Sequence, residues 1–139
     1  HAFIVPLKAR GNVQLVGIGS VAGIRGLPGS EAYCASKSAV ITYCESLRVE
    51  MQKYGIRVST ICPGFVRTPL TAENPYKMPF IMEPEDFARE AVEAITARAR
   101  YRVIPWQIGV LAKIMRCVPD GLWDKILANR KQKPRTTAQ

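Results

Sequence analysis

The pattern of apolar and polar positions predicts two buried strands that flank one long helix. Residues Val13 to Ile18 are apolar except for Gln14, as in a strand buried in a parallel sheet. Apolar residues then recur every three or four positions between Glu31 and Tyr54, which predicts an amphipathic helix that ends at Gly55. The apolar stripe of this helix consists of Val40, Tyr43, Cys44, Leu47 and Met51. Residues Ile56 to Ile61 form the second strand, so the three elements together predict a right-handed parallel crossover unit.

Further elements are predicted on both sides of this unit. Residues 1–10 have the pattern of the end of a helix, because basic residues precede Gly11. From Leu70 to Glu83 no period is visible and prolines recur, which predicts an irregular loop that contacts substrate or covers the site. Pro84 and the acids after it predict the start of another helix, and Tyr101 to Ile104 a short last strand.

The chain changes character after Pro105. Residues Trp106 to Val118 are almost wholly apolar, and a short amphipathic segment follows the break at Pro119. We therefore expect three parts: an α/β domain over residues 1–104, an apolar and basic helical tail over residues 105–130, and a disordered tail over residues 131–139.

Composition indicates a globular protein, with 47% hydrophobic and 22% charged residues in a chain of 139. The chain starts with His1 and has no secretory signal, so we expect a cytoplasmic protein whose chain is cut from something longer. The net charge of +9 is uneven: residues 1–97 contain ten Lys and Arg against nine Asp and Glu, and residues 98–139 contain ten against two. A near-neutral body with a basic end favours a local contact over binding of nucleic acid.

Four cysteines are far apart in the sequence, with no paired spacing. They are Cys34, Cys44, Cys62 and Cys117. Reduced, buried thiols are therefore favoured over disulfides or a metal site.

The candidate chemistry lies between the first strand and the long helix. Tyr33 and Lys37 are four residues apart, so a helix places an ammonium beside a phenol. A nearby cation stabilises a phenolate and makes a tyrosine a usable acid or base. Ser20 follows the predicted strand, and its hydroxyl can hydrogen-bond the substrate oxygen that Tyr33 protonates.

Three segments resemble the short-chain dehydrogenase/reductase family in order and spacing. They are Gly19-Ser20-Val21-Ala22-Gly23, Tyr33-Cys34-Ala35-Ser36-Lys37 and Pro63-Gly64-Phe65-Val66-Arg67-Thr68. The resemblance implies an α/β fold, namely the C-terminal half of a Rossmann-like, doubly wound parallel sheet with a helical C-terminal tail.

The resemblance also implies roles for the residues of these segments. Tyr33 would be the general acid in carbonyl reduction and the base in alcohol oxidation, Lys37 would also bind the nicotinamide ribose, and Ser20 would orient the substrate beside Val21. The cofactor, NAD or NADP with NADP slightly favoured, would contact Tyr33 and Lys37, and after the second strand Pro63, Gly64, Val66 and Thr68. Thr68 could instead simply cap a turn.

The family pattern is incomplete in these residues. The Gly-rich turn that holds a pyrophosphate does not occur among them, the family's catalytic Asn would fall before His1, and Asn12 is in the wrong place to replace it. Two hypotheses follow: the C-terminal portion of an NAD(P)-dependent oxidoreductase acting on a small carbonyl or alcohol, or a truncated, inactive chain that binds a ligand or partner. We also expect a lipophilic substrate, a homodimer or homotetramer through the helix of residues 31–54, and peripheral membrane contact through residues 105–130, with packing inside the monomer as the alternative for both surfaces.

Overall fold

A computed structural model of the chain describes residues 4–72 and 77–128. The helices and strands alternate as an α/β protein requires, and two 3-10 turns, Val21–Gly23 and Gln52–Tyr54, flank the longest helix. In chain order the elements are α1 (Ile4–Arg10), β1 (Gln14–Ile18), α2 (Glu31–Met51), β2 (Arg57–Pro63), α3 (Pro69–Ala72), α4 (Pro84–Thr96), β3 (Tyr101–Ile104), α5 (Trp106–Cys117) and α6 (Asp120–Ala128).

The three strands form one parallel sheet in the order β1-β2-β3. Strand β2 is central and buried from Val58 to Cys62, because helices cover both of its faces. On one face Val58 packs in a cluster with Leu47 and Met51 of α2. On the other face Ile61 packs with two alanines of α4 and with Ile104 of β3. The predicted α/β class and parallel crossover are confirmed.

The boundaries of α2 agree closely with the prediction. The set of side chains that α2 buries differs from the predicted apolar stripe. Gly55 ends the segment with a φ of 67°, which is the left-handed conformation of a helix stop. Val40, Cys44, Leu47 and Met51 pack inward as expected. Tyr43, predicted for the same stripe, is 59% exposed, because the sheet covers a narrower face of the helix than the apolar pattern spans.

The prediction of an irregular loop over residues 70–83 is wrong at the start of this segment. Helix α3 begins at Pro69, and Thr68 caps it: the Thr68 Oγ1 accepts a hydrogen bond from the Thr71 N–H at 3.3 Å. A threonine followed by proline is a helix-start signal, so this short helix was detectable in the sequence. Further along, Val66 pairs with Met82 in an isolated bridge, and residues 73–76 of the predicted loop lie outside the described part.

The region after β3 contains the two helices α5 and α6. Helix α5 packs closely on β3, since a Cβ added to Gly109 would lie 3.0 Å from the Cβ of Val103. Within residues 4–72 and 77–128, no helix is long and apolar enough to cross a membrane. The predicted disordered segment of residues 131–139 lies outside the described residues.

All four cysteines are free thiols, but the prediction that all of them are buried is wrong for one. Cys34, Cys44 and Cys62 are buried, whereas Cys117 is exposed at the last turn of α5. The sequence pattern around Cys117 is almost wholly apolar, but α5 presents this end to solvent.

Thiol labelling tests this arrangement. In the native protein, iodoacetamide should modify Cys117 at least about a hundredfold faster than Cys44 or Cys62, since buried thiols react only through local opening. Burial also raises the pKa of the Cys62 thiol, which lowers the amount of reactive thiolate. Mass spectrometry of peptides from samples quenched over time gives the rates, with the denatured chain as the control. Equal native rates at Cys117 and Cys62 would contradict the structure.

Candidate active site

Ser20 lies directly after the carboxyl end of β1, where ligands bind in open parallel sheets. The Gly19 N–H donates to the Ile61 carbonyl at 2.8 Å, so the sheet still holds the backbone one residue before Ser20. The Ser20 Oγ accepts a hydrogen bond from the Ala22 N–H at 3.2 Å and caps the 3-10 turn of residues 21–23. The backbone therefore fixes this oxygen, and its own hydrogen is left to donate to a ligand.

Lys37 reaches the same strand end from the second turn of α2, and Tyr33 lies one turn before it. The Lys37 Nζ lies 5.7 Å from the centroid of the Tyr33 ring, as the spacing of four residues predicts. The same Nζ donates to the Ile18 carbonyl at 3.4 Å, which ties the helix to the end of β1 two residues before Ser20. Tyr33 is 49% exposed, so a ligand can reach its hydroxyl.

Gly23 brings the serine turn and α2 together, and we did not single it out as a site residue. A Cβ at this position would lie 2.6 Å from the carbonyl carbon of Lys37 and 2.7 Å from the backbone nitrogen of Ser38. Backbone cannot yield as a flexible side chain does, so no larger residue fits without moving the turn. The sequence did contain a signal for this close contact, namely the glycine that ends the Ser-Val-Ala-Gly segment.

The segment after β2 contributes to the same edge of the sheet less directly. Pro63 is the last residue of β2, and a Cβ on Gly64 would lie 3.2 Å from Pro105 and 3.3 Å from Ile108, which gives this glycine a packing role under α5. The Val66 carbonyl accepts from the Thr71 Oγ1 at 2.9 Å. Among the described residues the Val66 N–H has no hydrogen-bond acceptor, so it can donate to a ligand.

Cys62 lies against the strand end that carries Ser20. Its side chain is fully buried, and a Cβ at Gly19 would lie 2.9 Å from its sulfur. Burial raises the pKa of Cys62, and burial with the Cys62 contact raises the pKa of Tyr101, so both groups stay protonated near neutral pH. Sequence analysis identified Cys62 only as a buried thiol, because nothing along the chain indicates that it lies against Gly19.

A cavity of about 1250 Å³ lies beside these residues, between the loop after Ser20, the first turns of α2 and the helices α5 and α6. Its walls include Ala22, Leu27, Cys34, Trp123 and Leu127. Ser20, Tyr33 and Lys37 are not part of its walls. The cavity meets the candidate site at Ala22, whose N–H binds the Ser20 hydroxyl.

A parallel sheet with helices on both faces and polar groups at the strand ends defines an α/β protein of the Rossmann type. Residues 1–78 match the family model described as short chain dehydrogenase, and the chain belongs to this family. The predicted family membership is confirmed.

Relatives and solved structures agree with this assignment. The chain is 40% identical over 123 residues to an uncharacterized oxidoreductase of Myxococcus xanthus, which covers 88% of the chain and 49% of that protein. It is 33% identical over 111 residues to epidermal retinol dehydrogenase 2 of Mus musculus, covering 75% of the chain and 36% of the relative. A short chain dehydrogenase from Burkholderia cenocepacia, solved in complex with NADP, has the same fold, with a TM-score of 0.70 at 24% identity over 91% of the chain and 52% of that protein. The chain thus spans half or less of these curated relatives.

Substitution of Gly23 tests the close approach on which the site depends. Gly23→Ala should lower the free energy of unfolding by about 1–3 kcal/mol, because the added methyl group meets backbone on α2. Urea unfolding followed by circular dichroism measures the change.

Gly26→Ala is the matched control, since nothing lies within 4 Å of a Cβ at that position. This variant should be as stable as the parent or slightly more stable. Equal stability of the two variants would show that the turn and the helix are not in close contact.

Proposed function

We propose that this chain forms the catalytic side of an NAD(P)-dependent oxidoreductase that interconverts a carbonyl and an alcohol by hydride transfer. The observation that carries the proposal is the placement of Lys37, whose Nζ lies 5.7 Å from the Tyr33 ring centroid and 3.4 Å from the Ile18 carbonyl beside Ser20. Family membership and relatives named as oxidoreductases and dehydrogenases support the same chemistry.

The residues of the chain divide the proton chemistry among them. In reduction, the Tyr33 hydroxyl gives its proton to the carbonyl oxygen, and in oxidation the phenolate takes it back. The Lys37 ammonium stabilises the phenolate formed in between. The Ser20 hydroxyl, held by the Ala22 N–H at 3.2 Å, donates a hydrogen bond to the same substrate oxygen, beside Val21.

A bound nicotinamide cofactor supplies or accepts the hydride. We propose that Lys37 binds its ribose, that the Val66 N–H binds its carboxamide, and that Pro63, Gly64 and Thr68 shape the adjoining wall. The Thr68 Oγ1 already accepts from the Thr71 N–H and lies 3.3 Å from the Thr71 Oγ1, so its hydrogen has to turn away from Thr71 to bind a phosphate.

Both NAD and NADP are open as the cofactor, with a slight preference for NADP. Solved relatives are described in complex with NADP, with NADPH and with NAD. The 139 residues contain no Gly-rich turn for the pyrophosphate, so in this proposal the other half of the cofactor site comes from further residues of a longer chain or from a second polypeptide.

We further propose a lipophilic substrate. Relatives named for retinol and for 17-beta-hydroxysteroids support this class of substrate. The cavity beside Ala22 has apolar side chains at Leu27, Trp123 and Leu127, among charged lining residues such as Glu31 and Asp124.

Two exposed surfaces support proposals on partners. Helix α2, within the predicted segment of residues 31–54, exposes Tyr43 by 59% and Val49 by 70%, and exposed apolar side chains on one helix suit a homodimer or homotetramer. Helix α5, within residues 105–130, exposes Trp106 by 65% and Ile114 by 59% beside the cation of Lys113, which suits peripheral contact with an anionic membrane in the cytoplasm.

Replacing Tyr33 tests the proposed acid and base. In the complete enzyme, Tyr33→Phe should lower kcat for aldehyde reduction by at least about a hundredfold, because the proton donor is lost, and leave the KM for NADPH within about twofold. Tyr43→Phe removes an exposed hydroxyl from the same helix and should change neither constant.

The assay follows NADPH and NADH consumption with short and long aldehydes. Full activity of Tyr33→Phe would overturn the assigned role. A soluble, folded natural protein of this length that binds ligand without turnover would instead support the second hypothesis, an inactive binding module.

Removing the exposed apolar groups of α5 tests the membrane contact. The double variant Trp106→Ser, Ile114→Ser should lower sedimentation with phosphatidylserine vesicles by at least about tenfold, since two large side chains no longer enter the interface. Val92→Ser is the control, because Val92 is 61% exposed on α4. Unchanged sedimentation of the double variant would remove this proposal.

A further inference from the structure

Loop residues 24–26 and the junction of α5 and α6 are joined by a dense set of polar contacts. The Arg25 Nη1 donates to the carbonyls of Met115 at 2.9 Å, Arg116 at 3.3 Å and Val118 at 2.5 Å. The Arg25 Nη2 forms an ion pair with the Asp120 Oδ1 at 2.8 Å. We call this set of contacts the Arg25 latch.

The end of α5 explains why an arginine is needed there. Val118 follows the helix in an extended conformation and Pro119 comes next, so no glycine cap is present, and the Val118 N–H donates only to the Met115 carbonyl, at 3.3 Å. These carbonyls carry the negative end of the helix dipole, and the guanidinium of Arg25 supplies both the donors and the positive charge. Arg25 therefore caps α5 from a different part of the chain.

Burial shows which contacts of the latch matter. The Arg25 side chain is 10% exposed, whereas that of Asp120 is 98% exposed. An ion pair with a fully solvated carboxylate is weak, so the carbonyl contacts account for most of the stabilisation. A buried guanidinium also has to keep its partners, since leaving it unpaired is costly.

Two contacts run in the opposite direction and close the latch. The Arg116 Nη1 donates to the Ile24 carbonyl at 3.2 Å, and the Trp123 Nε1 donates to the Gly26 carbonyl at 3.3 Å. The guanidinium of Arg25 also lies over the Trp123 ring, 4.7 Å from its centroid. Each of three consecutive loop residues is thus bound to the α5–α6 junction.

The latched loop is the connection between the proposed catalytic residues. It follows the 3-10 turn capped by Ser20 and leads into the helix that carries Tyr33. The cavity of about 1250 Å³ lies between this loop, α2 and α6, and its α6 side is lined by Trp123, Leu127 and Ala128 together with Asp120 and Asp124. Helix α6 therefore forms the outer wall of this cavity, which adjoins the turn after Ser20.

We propose that Arg25 is a positioning residue that sets specificity for carbonyl substrates with a large apolar body. By capping α5 it holds α6 as a fixed wall, and an apolar body that extends from the reacting carbonyl packs against this wall. A short aldehyde reaches only Ser20 and Tyr33 and does not contact α6. The inference rests on the proposed oxidoreductase function, which it extends to the shape of the substrate.

The first arm of the test measures the latch without any substrate. In the complete protein, Arg25→Ala should increase hydrogen exchange of the α5–α6 junction and α6 amides by at least about tenfold, and leave the β1–β3 amides unchanged. Arg25→Lys should have an intermediate effect, because one ammonium cannot span the carbonyls and Asp120 together. Asp120→Asn should have little effect, since its carboxylate is solvated.

The second arm compares butanal with dodecanal. Arg25→Ala should raise the KM for dodecanal by about tenfold with kcat within about twofold, and should change neither constant for butanal by more than about twofold. Arg89→Ala is the matched control, because it removes an equal charge from an exposed ion pair with Asp86. Addition of dodecanal should increase the hydrogen-exchange protection of the α6 amides more in the parent than in Arg25→Ala.

The outcomes separate the possible errors. Unchanged exchange in Arg25→Ala overturns the latch, and increased exchange with equal losses for both aldehydes overturns its role in specificity. If Arg25→Ala does not fold, Arg25→Lys decides both questions on the same readouts. A parent enzyme inactive with every aldehyde and alcohol overturns the proposed function and the specificity role with it, while the exchange data still decide the latch.

Discussion

The close approach of two backbone segments at Gly23 holds the candidate site together. With no side chain at this position, the turn that follows β1 rests directly on the backbone of α2 at Lys37 and Ser38. This contact sets the distance between the strand end that carries Ser20 and the helix face that carries Tyr33. Two hydrogen bonds, from Lys37 to the Ile18 carbonyl and from the Ala22 N–H to the Ser20 hydroxyl, then fix the side chains within this backbone arrangement.

Backbone groups, more than side chains, orient the polar residues of this site. The Ala22 N–H donates a hydrogen bond to the Ser20 hydroxyl at 3.2 Å. Lys37 is anchored to a strand carbonyl. Groups fixed in this way need little reorganisation when charge develops on a bound substrate, which is the condition for effective electrostatic stabilisation.

Elements with a strong local period could be predicted from the sequence, and contacts between distant segments could not. The unit of β1, α2 and β2 follows from the spacing of apolar residues, and Tyr33 and Lys37 follow from helical geometry. Tyr43 and Cys117 were placed inside because an apolar pattern does not show how much of a helix its neighbours cover. Helix α3 has only 4 residues to show a period, so the Thr68-Pro69 start was the one local signal for it. The partners of Arg25 lie 90 or more residues away along the chain, beyond any local pattern.

That separation has a consequence for how the protein acquires its final form during synthesis. The loop between Ser20 and Tyr33 is translated early, but its partners from Met115 to Trp123 leave the ribosome only after some ninety further residues have been translated. Until then the guanidinium of Arg25 has water in place of the α5 carbonyls. The wall of the cavity is therefore completed after the residues that line its floor, and assembly of this part of the molecule is ordered in time by the order of the chain.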